Sequence, residues 1–275
     1  MLQRLQNYSS MLQTDPLGFV IYVVSLAIAV LASLILHECA HGYVAYRCGD
    51  PTAKMMGRLT LNPKAHLDVM GTISLLVLGF GWARPVPVNP QNFRHGRRDD
   101  FFVSIAGIVT NLLLFLVSLG LSVWVLYLMA GSDFVLRVNY SGGGTELLDM
   151  SDSSTRQSIY FLFMNYLLDG AASSELTQFM AIPWLQHVER LLMLMCSINI
   201  SLAVFNFLPI PPLDGYHLVN DTLLRGRLQL NANTFRIAQL VLIVICLTGA
   251  LSGILSTCVN AVYGFFLQLF LGMIP

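Results

Sequence analysis

Residues 17–36 run for twenty positions without a charged side chain, and nothing else in the chain restricts its fold as much. About twenty apolar residues cross the hydrocarbon core of a bilayer as an α-helix, which satisfies its own backbone groups where water is absent. The run is too long for the core of a cleavable leader and has no basic start beyond Arg4, so it reads as a retained span. It leads directly into His37-Glu38-Cys39-Ala40-His41. On a continuing helix, residues four apart share a face, so His37 and His41 can hold one zinc ion between them. Cys39 turns about 200° away from His37 and is not a ligand. A charge at mid-membrane costs about 2.5–3.5 kcal/mol on insertion scales and is usually functional. Glu38, between the two histidines, is placed to be the general base toward water on the metal.

The chain is 55% hydrophobic and 11% charged, against about 25% charged in soluble domains. Most of it therefore lives in lipid. The zero net charge argues against nucleic acid as a partner. The five cysteines have no C-x-x-C spacing and lie in or beside apolar runs, where they serve as small buried residues rather than a disulfide framework. Apolar runs fall at about 17–46, 69–82, 101–130, 188–210 and 235–272. The second is too short to cross as a helix and is expected to enter and leave on one side. The last, interrupted by Gly249, Gly253 and Gly264, predicts a hydrophobic hairpin over 235–272. The expected fold is an all-α polytopic membrane protein, with about five or six membrane helices and a short re-entrant or β element. One membrane-embedded domain covers 1–275, with a polar insertion at 131–187. Within it, 141–158 reads as a flexible polar loop, and 159–168 as a short helix on the membrane surface.

Basic residues orient the spans. Arg47, Lys54, Arg58 and Lys64 follow the first run, Arg84, Arg94, Arg97 and Arg98 the short one, and Arg225, Arg227 and Arg236 the fourth. Segment 131–187 is acidic by comparison. So 42–100 and 211–236 are expected on the cytoplasmic side and 131–187 on the other. The histidine motif and the region after Asn206 then face the same side.

Two histidines leave a catalytic zinc site short of a ligand, since three protein ligands plus water are usual. The metzincin continuation needs glycine at position 44 and histidine at position 47, where this chain has Val44 and Arg47. Glu146, Glu175 and Glu189 fall on the wrong side by charge bias. Asp214 fits better. Pro209, Pro211 and Pro212 stop the fourth run just before it, and irregular backbone at membrane depth is tolerated only where it lines a cavity or protein. His66 and His217 are rival ligands.

Three separated stretches carry a resemblance: His37-Glu38-Cys39-Ala40-His41, Ala106-Gly107-Ile108-Val109-Thr110-Asn111, and Asn206 through Pro209, Pro212-Leu213-Asp214-Gly215. Together they resemble the site-2 protease family of intramembrane zinc metalloproteases. Gly57-Arg58-Leu59-Thr60-Leu61-Asn62-Pro63 and Arg84-Pro85-Val86-Pro87-Val88-Asn89 are similar to its small bacterial branch, without the PDZ or CBS domains of many relatives. The likeness covers about 31–111 and 199–220. It implies that His37, His41 and Asp214 bind Zn2+ and that Glu38 is the catalytic base.

A membrane helix hides its peptide bonds, so a protease must unwind a stretch of it. Edge pairing is one means, and the extended Arg84–Asn89 segment is suited to it through Val86 and Val88. The amides of Asn111 and Asn206 are candidates for holding substrate backbone or the oxyanion, or for interhelical hydrogen bonds. Gly107 reads as a close-packing point. The implied function is a zinc-dependent endopeptidase cleaving transmembrane or membrane-associated proteins near the cytoplasmic face, in a multi-pass protein of a bacterial plasma membrane. Its partners are a membrane-spanning protein substrate and the lipid bilayer. The alternatives are another membrane zinc peptidase, such as a prenyl-protein protease, and a zinc transporter. A transporter needs polar ligands along its path, and runs 101–130 and 235–272 contain no Asp, Glu or His.

Overall fold

A computed structural model of the chain describes residues 8–9, 11–13, 15–68, 71, 84–130, 135–139, 145–168, 180–225, 227–228 and 230–273. Apart from its Gly71, the short apolar run from 71 to 82 lies outside them, as do 69 and 70.

Helix α1 (Pro16–Cys48) carries both the uncharged run and the histidine motif. Asp15 caps it, with Oδ1 accepting the Gly18 N–H at 2.9 Å. Proline suits the first helical position, where its missing N–H has no partner to lose. The helix ends at Gly49, whose φ of 112° favours glycine. There the N–H groups of Gly49 and Asp50 return to the carbonyls of Tyr46 and Ala45. The single-turn helices α2 (Thr52–Met55) and α3 (Pro63–His66) follow, then a 3-10 turn at Pro90–Asn92. Helix α4 (Arg97–Ala130) begins with Asp99 and Asp100 in its first turn, where the helix dipole favours negative charge.

Strands β1 (Val135–Asn139) and β2 (Thr145–Asp149) pair antiparallel, Val135 opposite Asp149 and Asn139 opposite Thr145. Helix α5 (Ser153–Leu168) comes next. Residues 145–158, read as a loop from composition, are thus a strand, a turn and the start of a helix. Local bonds organise the turn. Ser151 N–H donates to Asp149 Oδ1 at 2.8 Å, and the Thr155 hydroxyl bonds the Asp149 backbone at both its N–H and its carbonyl. Polar residues that look like loop formers can build such turns with their side chains.

Helix α6 (Leu185–Asn206) runs to the proline-rich stretch, and α7 (Asp214–Thr222) restarts at Asp214. Helices α8 (Ala232–Thr248) and α9 (Ser252–Leu271) turn at Gly249, φ 73°. Helices α1, α4, α6 and α9 are long and apolar enough to cross a membrane, and α8 is a shorter apolar helix. The fold is that of an all-α polytopic membrane protein, with four helices of span length among the described residues. In the most apolar stretch of α9 only 17% is covered by protein. Val117, Trp124 and Leu113 of α4 stand exposed, as suits side chains solvated by lipid.

The chain forms two compact units. One comprises Met1–Ala29, Phe115–Ser197 and Val262–Pro275. Its interior holds Phe115, Leu119, Leu126, Met129, Phe163 and Met193, all fully buried. It also contains a buried polar chain. Ser122 Oγ donates to Glu189 Oε1 at 2.6 Å and meets the Tyr160 hydroxyl at 2.8 Å, which in turn meets that of Tyr263 at 2.9 Å. The other unit comprises Val30–Leu114 and Ile198–Ala261. It carries the motifs singled out from the sequence. Within it the Asn199 amide donates to Ser33 Oγ at 2.8 Å, tying α6 to α1.

Candidate metal centre

One helical turn separates His37 and His41, and their Nε2 atoms stand 3.1 Å apart. Asp214 Oδ2 lies 3.4 Å from the first and 3.3 Å from the second. Ligands about 2.0–2.2 Å from a tetrahedral zinc stand about 3.3–3.5 Å from one another, so this triangle fits a zinc ion. Among the described residues it is the one group of three or more potential ligands drawn this close. Asp214 Oδ2 is buried and makes no hydrogen bond of ordinary geometry. An orphaned carboxylate oxygen aimed at two imidazoles is what a cation would satisfy.

The local sequence explains how Asp214 gets there. After α6 ends at Asn206, Pro209, Pro211 and Pro212 have no N–H to continue a helix. The chain bends, and α7 begins at Asp214 itself. A side chain on Gly215 would run into the carbonyls of Phe207 and Leu208, so the bend requires a glycine beside the aspartate.

Helix α4 orients the rings. His41 Nδ1–H donates to the Val103 carbonyl at 2.7 Å, leaving Nε2 with its lone pair toward the triangle. His37 Nδ1 is 3.1 Å from the side-chain amide of Asn111. Asn111 Oδ1 is otherwise buried without a partner. With the amide turned so that Oδ1 accepts the Nδ1–H, the tautomer is set and His37 also presents a free Nε2, the amide NH2 then taking the buried position of the oxygen. Asn111, expected either to hold substrate backbone or the oxyanion or to make an interhelical hydrogen bond, is here a hydrogen-bond partner of His37.

Gly107 lies against both imidazoles. A methyl group there would overlap His37 and His41, so the glycine admits the rings rather than only a neighbouring helix. Gly107→Ala is expected to weaken zinc binding about 10- to 100-fold, equivalent to about 1–3 kcal/mol of overpacking. Chelator titration of the purified protein measures it, and unchanged affinity would contradict this packing.

Glu38 is on the same turn of α1, outside the triangle. Its Oε2 accepts the Val86 N–H at 2.7 Å. Val86 and Val88 lie in the extended segment 84–89, which forms no sheet. The backbone donor of Val86 is therefore engaged by Glu38, and its side chain is buried. Asn206 closes α6 and is half-buried. His66 is buried away from the triangle, its Nε2–H donating to the Thr60 carbonyl at 2.7 Å. His217 packs beside the Tyr216 ring, centroids 5.2 Å apart. Neither rival joins the cluster. The Val103 carbonyl and the Val86 amide were not anticipated. Both are main-chain groups, so no residue type announces them.

Known proteins resemble the chain in sequence. Residues 25–249 match the pattern of peptidase family M50. The chain is 40% identical over 206 residues to "Putative zinc metalloprotease YwhC" of Bacillus subtilis (strain 168), covering 75% of this chain and 71% of that protein. It is 35% identical over 112 residues to "Putative zinc metalloprotease Rip2" of Mycolicibacterium smegmatis (strain ATCC 700084 / mc(2)155), covering 39% of this chain and 43% of the relative. No solved structure matches the chain significantly. Over most of its length, then, the chain belongs to peptidase family M50, the site-2 proteases, and is a zinc metalloendopeptidase of the membrane.

Proposed function

We propose that the chain cleaves transmembrane or membrane-associated proteins near the cytoplasmic face of the cell membrane, with His37, His41 and Asp214 holding zinc and Glu38 as the base. The observation that carries this reading is the triangle of Nε2, Nε2 and Oδ2 atoms with 3.1–3.4 Å edges, one residue away from Glu38. Bound zinc supplies a Lewis acid that polarises the scissile carbonyl and acidifies water. Glu38 takes the proton from the attacking water on its unbound Oε1 and passes it to the leaving amine. The Val86 N–H holds Oε2 throughout, which fixes the direction in which Oε1 points. Val103 and Asn111 keep the imidazole Nδ1 atoms occupied, so each histidine offers only Nε2. Val88 and Asn206 remain as candidate contacts for unwound substrate, with Val86 contributing through its place in the same segment.

In this reading one membrane-embedded protease domain covers the chain, the 131–187 insertion lies on the non-cytoplasmic side, and 235–272 is a hydrophobic hairpin. The charge bias between 42–100 and 131–187 supports it. Single cysteines at positions 54 and 145, in a background without native cysteine, are expected to label from opposite sides of sealed vesicles. Labelling from one side would break the orientation and with it the cytoplasmic placement of the metal. Mapping the new termini of membrane proteins cleaved in cells then locates the scissile bonds.

A further inference from the structure

We propose that Arg58 is a positioning residue for the base: its guanidinium clamps segment 84–86 so that the Val86 N–H holds one oxygen of Glu38. This rests on the reading of Glu38 as the base. Arg58 is only 8% exposed, and its Nη2 donates to the carbonyls of Arg84 and Pro85 at 2.7 and 3.2 Å. Among the described residues no carboxylate forms an ion pair with it. A buried guanidinium without a counter-ion is costly unless its donors are used. Here two consecutive peptide carbonyls take up Nη2, while Nε is buried without a partner.

The rest of the segment is held to match. Arg84 N–H donates to the His66 carbonyl at 2.8 Å, and His66 is itself fixed through its ring to the Thr60 carbonyl. Pro85 and Pro87 keep φ near −65° and bias the residues before them toward extended backbone, so the segment cannot coil away from α1. Beyond them, Asn89 N–H donates to Asp50 Oδ2 at 2.7 Å. Burial works against ionisation of Asp50, but hydrogen bonds from Asn89, Thr52 and Asn92 outweigh it and hold its carboxyl below the usual range. Between these anchors the Val86 N–H projects onto Glu38 Oε2 at 2.7 Å. With Oε2 tied, Oε1 is the oxygen left for water. Arg58 acts on the reaction through the peptide it grips. Both bonds come from one nitrogen, so a lysine ammonium could replace them in part, as a point charge on a more flexible stem.

The test is hydrogen–deuterium exchange of the cobalt-loaded, detergent-solubilised full chain, read on a peptic fragment covering residues 84–89. Pro85 and Pro87 carry no amide proton, so Val86, Val88 and Asn89 supply its signal. Glu38→Ala is expected to speed one protected amide of the fragment, that of Val86, about tenfold, the loss of one hydrogen bond to a charged group, while the Asn89 amide held by Asp50 keeps its rate. Arg58→Met is expected to match it, with the visible absorption of bound cobalt unchanged. Arg58→Lys should fall between Arg58→Met and the wild type. Turnover should drop in the same order. The proposal is overturned if Arg58→Met keeps the wild-type protection, if it loses the cobalt absorption as well, or if Glu38→Ala leaves the amide protected. Should Arg58→Met not fold, wild-type exchange in Arg58→Lys overturns it instead. A failure of Glu38 as the base would appear as an active Glu38→Gln protein and would leave these exchange rates untouched, so the two failures are distinguishable.

Discussion

Glu38→Gln is expected to bind zinc as tightly as the wild type and to lose peptide hydrolysis. Glutamine keeps the size of the side chain, and its carbonyl oxygen can still accept the Val86 N–H, now at 2.7 Å from Glu38 Oε2. The triangle of His37, His41 and Asp214 does not include residue 38, so its two Nε2 atoms and Oδ2 are undisturbed. What disappears is proton acceptance from water. General-base catalysis is worth about 10²–10⁴-fold, and turnover should fall by that much. The comparison pairs metal analysis of the purified proteins with the membrane-protein fragments accumulating in cells that carry either form. An active Glu38→Gln protein with full zinc content would remove Glu38 from the reaction.

Asp214→Ala should have the larger effect on the metal. Loss of a supporting partner behind a ligand typically costs 10- to 100-fold in affinity, so loss of a ligand itself should cost over about 100-fold. Zinc would be left with two imidazoles and a +2 charge in a buried site without an anion to offset it. Proteolysis should stop with it. His66→Ala and His217→Ala should hold zinc normally, since neither ring is in the cluster. Metal content after a graded chelator challenge reads all three. If Asp214→Ala retained zinc while either histidine variant lost it, the third ligand would be wrong.

Much of this site is legible in sequence because helical spacing is rigid. His37, Glu38 and His41 follow one after another on a run that can only be helical in lipid, so their shared turn is fixed by geometry. Asp214 is 173 positions beyond His41 by their numbers, yet three prolines ending an apolar run mark where the chain must bend toward something polar. Other contacts leave no such trace. The Val86 amide on Glu38 and the Val103 carbonyl on His41 are main-chain groups, and any residue type would supply them. Arg58 reads as one more basic residue after a span, and only the folded path of 84–86 reveals what it grips. Asn111 was visible as a polar residue in an apolar run, but not its partner, because helix rotation is set by packing across α4 and α1. The β1–β2 pair was missed because Thr145-Glu146-Leu147-Leu148-Asp149 lacks a clean alternation of apolar and polar positions.

The bond from Arg84 N–H to the His66 carbonyl closes a loop of sequence over residues 67–83 with main-chain groups alone, so it depends on no side chain at either end. Closure entropy grows only with the logarithm of length, so doubling the loop would cost about 0.6 kcal/mol. A change in the number of residues between these two anchors is therefore expected to cost the closure little, with the Val86 N–H still on Glu38 Oε2.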